Sequence, residues 1–213
     1  MTRKTGILGG TFDPVHNGHL ALAEAAGKLC DLDEITLLPA AVPPHKQEVI
    51  SAFSDRVAML ELAVRNKPTL TLSTIEQLLP TPSYSIDTLR YLLSHATHPA
   101  EFFFITGADT FLDILSWKEY QELLRTIHFV VFSRVGSKNE QLYTLFNKLE
   151  YHKKGAGWYN TVSHRWIYCS SVSLPPVSSS EIRNRVALGL PVNSFVPEGV
   201  SEYIQAHGLY TVR

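Results

Sequence analysis

The residues best suited to chemistry lie in one stretch, Gly9-Gly10-Thr11-Phe12-Asp13-Pro14-Val15-His16-Asn17-Gly18-His19, between an apolar run and an amphipathic one. Glycines let a backbone approach a ligand closely, and a helix start offers unpaired N–H groups and partial positive charge to a phosphate. His16 and His19, three apart at that helix start, would face the same anion. Two blander readings stand beside this one. Nine histidines in 213 residues give roughly 0.4 chance HxxH pairs, a risk that attaches to any short motif. Zinc ligation is the other, although no Cys or carboxylate sits at an obvious third-ligand spacing.

Three further clusters could serve other parts of a ligand bound there. Pro43-Pro44-His45-Lys46 follows the second apolar run, at the edge where a sheet would hold a ligand; alone, Lys46 reads as a solvated loop lysine. Ser178-Ser179-Ser180-Glu181-Ile182-Arg183 offers hydroxyls, helix-start N–H groups and a guanidinium; alone, it reads as a helix capped by Ser178 with Glu181 three residues on. Ile105-Thr106-Gly107-Ala108-Asp109-Thr110 ends the fourth run and leads to Trp117, which stacks on a base or fills core.

These clusters need a scaffold, and apolar runs alternating with amphipathic ones supply it. Strands are expected near Thr5–Leu8, Glu34–Leu38, Thr69–Ser73, Glu101–Ile105 and Ile127–Phe132. Helical spacing appears from Leu20 to Leu29, Val57 to Val64 and Ile86 to Leu93. The fold class is therefore α/β: a Rossmann-like, doubly wound parallel sheet with functional loops after its strands and a small C-terminal helical part. The chain reads as a single domain over 1–213, with core sheet and helices over 1–135 and a C-terminal subregion over 136–213 carrying the second phosphate cluster. In that subregion helices are expected at about Glu140 to Leu149 and Glu198 to Ala206, and Lys153-Lys154-Gly155-Ala156-Gly157 reads as a surface turn. The aromatics Trp158, Tyr159, Trp166 and Tyr168 are expected to pack as core rather than form a subunit contact, and a homo-oligomer is left open.

Composition narrows the function classes. A net charge of −1 and a pI near 6.8 argue against a basic surface for nucleic acid. Cys30 and Cys169 lie far apart outside any CxxC pattern, which fits a reducing cytoplasm. No signal peptide and no membrane span are expected, because Glu24 and Lys28 interrupt the first long apolar segment.

The stretch from Gly10 to His19 resembles the first signature of the HxGH nucleotidyltransferase superfamily, and Ser178 to Arg183 resembles its second. Pro43 to Lys46, Asp55-Arg56, Ser83-Tyr84-Ser85-Ile86-Asp87-Thr88, Gly107-Ala108-Asp109 with Trp117, and Val196-Pro197 with Tyr203-Ile204 are similar to the bacterial nicotinate-nucleotide adenylyltransferase family. The resemblance covers nearly the whole chain and is weakest from Ser137 to Ser173. It implies that the phosphate of nicotinate mononucleotide attacks the α-phosphorus of ATP, releasing pyrophosphate and forming nicotinate adenine dinucleotide in NAD biosynthesis. It also implies the catalytic set His16, His19, Lys46 and Arg183. ATP would lie against Gly9, Gly10, Thr11, Phe12, the two histidines, Gly107, Asp109, the backbone at Ser133 and Arg134, and Ser179, Ser180 and Arg183. The mononucleotide would meet Asp13, His45, Lys46, Tyr84, Ser85, Trp117 and Lys118, with the ring on Trp117 and main-chain N–H groups near Ser85 and Lys118 receiving its carboxylate. The Lys118 charge is expected to add preference for the acid. Mg²⁺ accompanies ATP, held by phosphate and water, with no protein metal ligands.

Overall fold

The computed structural model describes residues 2–44, 51–134, 139–172 and 175–211. Each of the five apolar runs forms a parallel strand: β1 (Arg3–Gly10), β2 (Glu34–Pro39), β3 (Leu70–Leu72), β4 (Ala100–Gly107) and β5 (His128–Arg134). Successive residues on these strands enter opposite cores: Ile7, Leu38, Phe129 and Val131 one, Leu8, Leu37, Val130 and Phe132 the other. A sheet apolar on both faces must be covered on both.

Among the described residues the helices are α1 (Asn17–Cys30), α2 (Phe53–Val64), α3 (Ser85–Ser94), α4 (Ala108–Leu112), α5 (Tyr120–Thr126), α6 (Glu140–Lys148), α7 (Ser179–Ala187) and α8 (Val200–Ala206), with short 3₁₀ turns at Ile75–Leu78 and Ile114–Ser116. Leu20, Ala23, Met59, Leu60, Ile182 and Ile204 place α1, α2, α7 and α8 on one face, and Ile86, Phe111, Leu123 and Phe146 place α3 to α6 on the other. Helix α1 stops where Asp31 turns left-handed (φ 53°) and its N–H closes on the Gly27 carbonyl.

The C-terminal part departs from expectation. Beside α6, α7 and α8 it supplies three strands, β6 (His152–Lys154), β7 (Gly157–Asn160) and β8 (Arg165–Val172), so the sheet runs β3-β2-β1-β4-β5-β8-β7-β6. Strand β8 is parallel to β5, while β6 and β7 are antiparallel additions. The turn expected at Lys153 to Gly157 exists, with Gly155 at φ 58°, but it joins two strands. Trp158 is buried against Phe146 of α6, ring centroids 5.2 Å apart, so that aromatic does fill core. Tyr159 and Trp166 pair across β7 and β8 with Lys154 over both rings.

At the start of β5, the buried His128 accepts the Trp166 N–H on Nδ1 at 3.0 Å. Burial, aided by the charges of Arg165 and Lys4, lowers its pKa to about 4. The unfolded chain, near 6.5, then binds this proton first, so the contribution is full above about pH 6.5 and is lost as pH falls toward 4. At most it is on the order of 3 kcal/mol. Urea midpoints should therefore drop between pH 7.5 and 5, and His128→Gln should flatten that slope; an unchanged slope would remove His128 as its source.

Candidate active site

The chain runs β1, β2, β3 outward to one side and returns with β4 on the other side of β1. The crevice of such a sheet opens where the order reverses, beyond the carboxyl ends of β1 and β4. Those ends are Gly9-Gly10 and Gly107, the positions expected from the sequence.

The loop from Thr11 to His16 is held by its own carbonyls. Arg56 Nη1 donates to the carbonyls of Thr11 and Ala40, both at 2.8 Å. Arg183 Nη1 donates to that of Asp13 at 2.8 Å, and Ser179 Oγ to that of Pro14 at 2.9 Å. Asn17, the first residue of α1, donates its N–H to the Phe195 carbonyl and its side-chain amide to that of Ser194. The two sequence signatures, 165 positions apart at the Ser179–Pro14 contact, thus form one corner in which α1 and α7 both begin.

His16 caps α1 in an extended conformation and donates its main-chain N–H to His19 Nδ1 at 3.2 Å. Because Nδ1 accepts, that bond assigns the proton of a neutral His19 to Nε2. The imidazoles stack 3.7 Å apart, and Phe12 meets His19 edge-on at 4.9 Å. His16 is 7% exposed, and burial lowers its pKa to about 4, so it is neutral at pH 7. Its Nδ1 is buried, and the His16 side chain faces the His19 main-chain N–H in a capping-box arrangement without a hydrogen bond of full geometry. Glycine is required at 18: a β-carbon there would lie 2.9 Å from that Nδ1.

Across the corner, α7 starts as the sequence indicated, Ser178 Oγ accepting the Glu181 N–H at 3.1 Å. Arg183 also donates Nη2 to Ser180 Oγ at 3.3 Å; a guanidinium has five N–H donors, and these contacts use two. The Ser179 hydroxyl proton is committed to Pro14, so what α7 presents to a phosphate is main-chain N–H groups, Ser180 and the rest of Arg183. His45 and Lys46 lie outside the described residues.

A cleft of about 520 Å³ at the other end is lined by Pro44, Tyr84, Ser85, Asp109, Trp117 and Lys118 among others. Trp117 stands edge-on to Phe104 at 5.6 Å, so it both supports the core and walls the cleft. Ser85 is the first residue of α3, whose opening N–H groups face an anion's requirements. The Lys118 ammonium is 2.9 Å from Asp87 Oδ2 and lies over the Tyr84 ring, so its charge is shared with a neighbouring carboxylate. Gly107 has open space where a side chain would project, and Ser133 is buried with its hydroxyl on that of Ser171 at 3.1 Å.

Asp13, expected beside the mononucleotide, is 2% exposed, and its carboxylate accepts the Tyr210 hydroxyl at 2.7 Å. Two supporting residues were given no role from the sequence. Arg56 is 1% exposed; its signal was an arginine on the same helical face as Leu60 and Ala63, where only a paired charge is stable. Tyr210 had no local signal at all.

A doubly wound sheet with two helix starts and a histidine pair at its switch point defines a nucleotidyltransferase-type scaffold, and the Cytidylyltransferase-like family model matches residues 7–185. The chain is 38% identical over 211 residues to a probable nicotinate-nucleotide adenylyltransferase of Desulfotalea psychrophila, covering 98% of this chain and 100% of that one. To the probable nicotinate-nucleotide adenylyltransferase of Pectobacterium atrosepticum it is 36% identical over 212 residues, covering 99% and 100%. The solved structure of Plasmodium falciparum nicotinic acid mononucleotide adenylyltransferase complexed with NaAD shares the fold, with a TM-score of 0.71, 19% identity and coverage of 98% of this chain and 97% of that one. The chain belongs to the nicotinate-nucleotide adenylyltransferase family. Among the described residues no helix is long and apolar enough to cross a membrane.

Proposed function

We propose that this protein transfers the adenylyl group of ATP to nicotinate mononucleotide, giving nicotinate adenine dinucleotide and pyrophosphate. The observation that carries the reading is the corner joining both signatures, with Arg183 on the Asp13 carbonyl and Ser179 on that of Pro14, beside the stacked His16 and His19. An oxygen of the mononucleotide phosphate attacks the α-phosphorus, and the bond to the bridging β-phosphate oxygen breaks, its electron pair leaving with pyrophosphate. A phosphate monoester has a second pKa of about 6 and is largely dianionic at pH 7, so no general base is needed. The protein's task is alignment and compensation of developing charge. His19 Nε2–H and neutral His16 donate to the ATP phosphates; Arg183, Ser180 and the start of α7 hold the β- and γ-phosphates. Lys46 positions the two reacting phosphates by the family pattern.

The nucleoside of ATP lies along Gly107, Asp109 and the ends of β4 and β5. The pyridine ring stacks on Trp117, and main-chain N–H groups near Ser85 and Lys118 take its carboxylate. An amide facing the same donors would leave buried N–H groups unpaired, which favours the acid. Imidazole and guanidinium at the phosphate end suit anions rather than a hard cation. Among the described residues no three His, Cys, Asp or Glu side chains converge to hold one. Mg²⁺ fits as a companion of ATP, carried by phosphate oxygens and water and supplying charge neutralisation. Both cysteines are free thiols, in keeping with a reducing cytoplasm.

Isotope placement tests the reaction: label from α-labelled ATP must appear in the dinucleotide and label from γ-labelled ATP in pyrophosphate. Label from the γ-position in the acceptor product would make the protein a phosphoryl transferase instead. The Lys118–Asp87 pair makes a second prediction. Lys118→Ala bares Asp87 beside the cleft and should lower the acid-to-amide ratio of kcat/KM about two- to five-fold, the scale of an exposed charge contact. Asp87→Asn in that background should restore the ratio; if it does not, Lys118 acts on the carboxylate directly.

A further inference from the structure

The segment after α8 reaches back into the catalytic corner. Gly208, at φ 58°, turns the chain, and the Leu209 N–H closes on the Ile204 carbonyl. Tyr210 then adopts φ 63°, a left-handed conformation that a tyrosine holds only when its surroundings impose it. What it reaches is specific: its hydroxyl donates to Asp13 Oδ1 at 2.7 Å and accepts from Ser51 Oγ at 2.8 Å. Donor and acceptor capacity of the phenol are both engaged, so the contact has a direction. Asp13 passes it on, because its main-chain carbonyl is the acceptor of Arg183 Nη1 at 2.8 Å. One residue thus links the end of the chain, the loop between β1 and α1, and the guanidinium of the second signature. Ser51 ties in the chain only five positions after Lys46.

We infer that Tyr210 is a positioning residue for adenylyl transfer, a C-terminal latch that sets the Asp13 loop and, through it, Arg183 and the histidine pair. The inference rests on the adenylyltransferase reading for its kinetic consequence, though not for its structural one. Tyr210 meets the loop at the Asp13 carboxylate, whereas Arg183 meets it at the Asp13 carbonyl. Loss of the latch should slow turnover without emptying the binding site.

Tyr210→Phe keeps the ring and removes the hydroxyl; Ser51→Ala removes the donor to that hydroxyl from the opposite side. Both are measured for kcat and KM with ATP, Mg²⁺ and nicotinate mononucleotide, for thermal midpoint, and for hydrogen–deuterium exchange at residues 11–17. For Tyr210→Phe the latch predicts a fall in kcat of roughly ten-fold or more, KM values within about two-fold, and faster exchange at 11–17 with β4 and β5 unchanged. Ser51→Ala should move the same readouts in the same direction by less. Unchanged kcat and exchange in Tyr210→Phe would overturn the inference, as would a lower thermal midpoint with unchanged kcat, which would make the contact structural only. Faster exchange at 11–17 in a protein whose wild type does not consume nicotinate mononucleotide would retain the loop latch and defeat the adenylyltransferase reading instead.

Discussion

His19→Ala should lower kcat by about 100- to 1,000-fold while leaving KM for ATP within a few-fold, since removing one donor aimed at transition-state charge has that size of effect. The expectation rests on the His16 N–H, which occupies His19 Nδ1 and so places the proton of a neutral His19 on Nε2, the donor that the proposed reaction uses. His19→Asn offers an amide N–H without the ring and should recover part of the loss; His19→Phe keeps the stack on His16 and should recover none. Steady-state and single-turnover rates separate the cases. A defect confined to KM would make His19 a ground-state binder and remove it from the chemical step.

Arg56→Met should be the most destabilising single change outside the cores, by about 3–5 kcal/mol, the cost of removing one member of a buried charge arrangement. Its guanidinium serves the carbonyls of Thr11, Ala40 and, at 3.4 Å, Ala41. Burial pulls its pKa down, while the neighbouring Asp13, Tyr210 and Glu76 oppose that shift. Glu76 is itself buried and accepts the Thr88 hydroxyl at 3.0 Å, its pKa raised by burial and held back by hydrogen bonds from Ser83 and Thr88. Methionine would take the guanidinium donors from three carbonyls and remove a positive charge beside Asp13 and Glu76. Arg56→Lys should rescue only part, because one ammonium cannot reproduce a planar fork between two loops. Urea unfolding measures it: a loss below about 1 kcal/mol, the scale of a surface contact, would show that the loops hold without the clamp. Both loops border the phosphate corner, so activity should fall with stability.

How far these features were legible follows from the physics of each. β1, β2, β4 and β5 were plain because strands covered on both faces are continuous apolar runs, as in Ile7-Leu8 and Val130-Val131. The Ser178 cap was legible because its partner is three residues away. Strands β6 to β8 were not: His152, Lys153 and Lys154 are all exposed, and the aromatics of β7 and β8 carry no clean alternation. Helices α4 and α5 span five and seven residues, too short to show a period. At the site, the glycines, both histidines and Arg183 announced themselves through local motifs. The Arg56 clamp and the Tyr210–Asp13 contact did not, since the latter joins residues 197 positions apart. The pairing of Lys118 with Asp87 likewise crosses 31 positions. Sequence periodicity reports which face is buried; it does not report which distant polar group satisfies a buried one.

The most direct test is parallel measurement of kcat/KM for pyrophosphate release from ATP and Mg²⁺ with nicotinate mononucleotide and with nicotinamide mononucleotide. The account predicts a ratio of at least about 100 in favour of the acid, as a site built from main-chain donors gives when one partner cannot accept. Equal turnover of the two would contradict the nicotinate assignment, and no turnover with either would contradict the transferase itself.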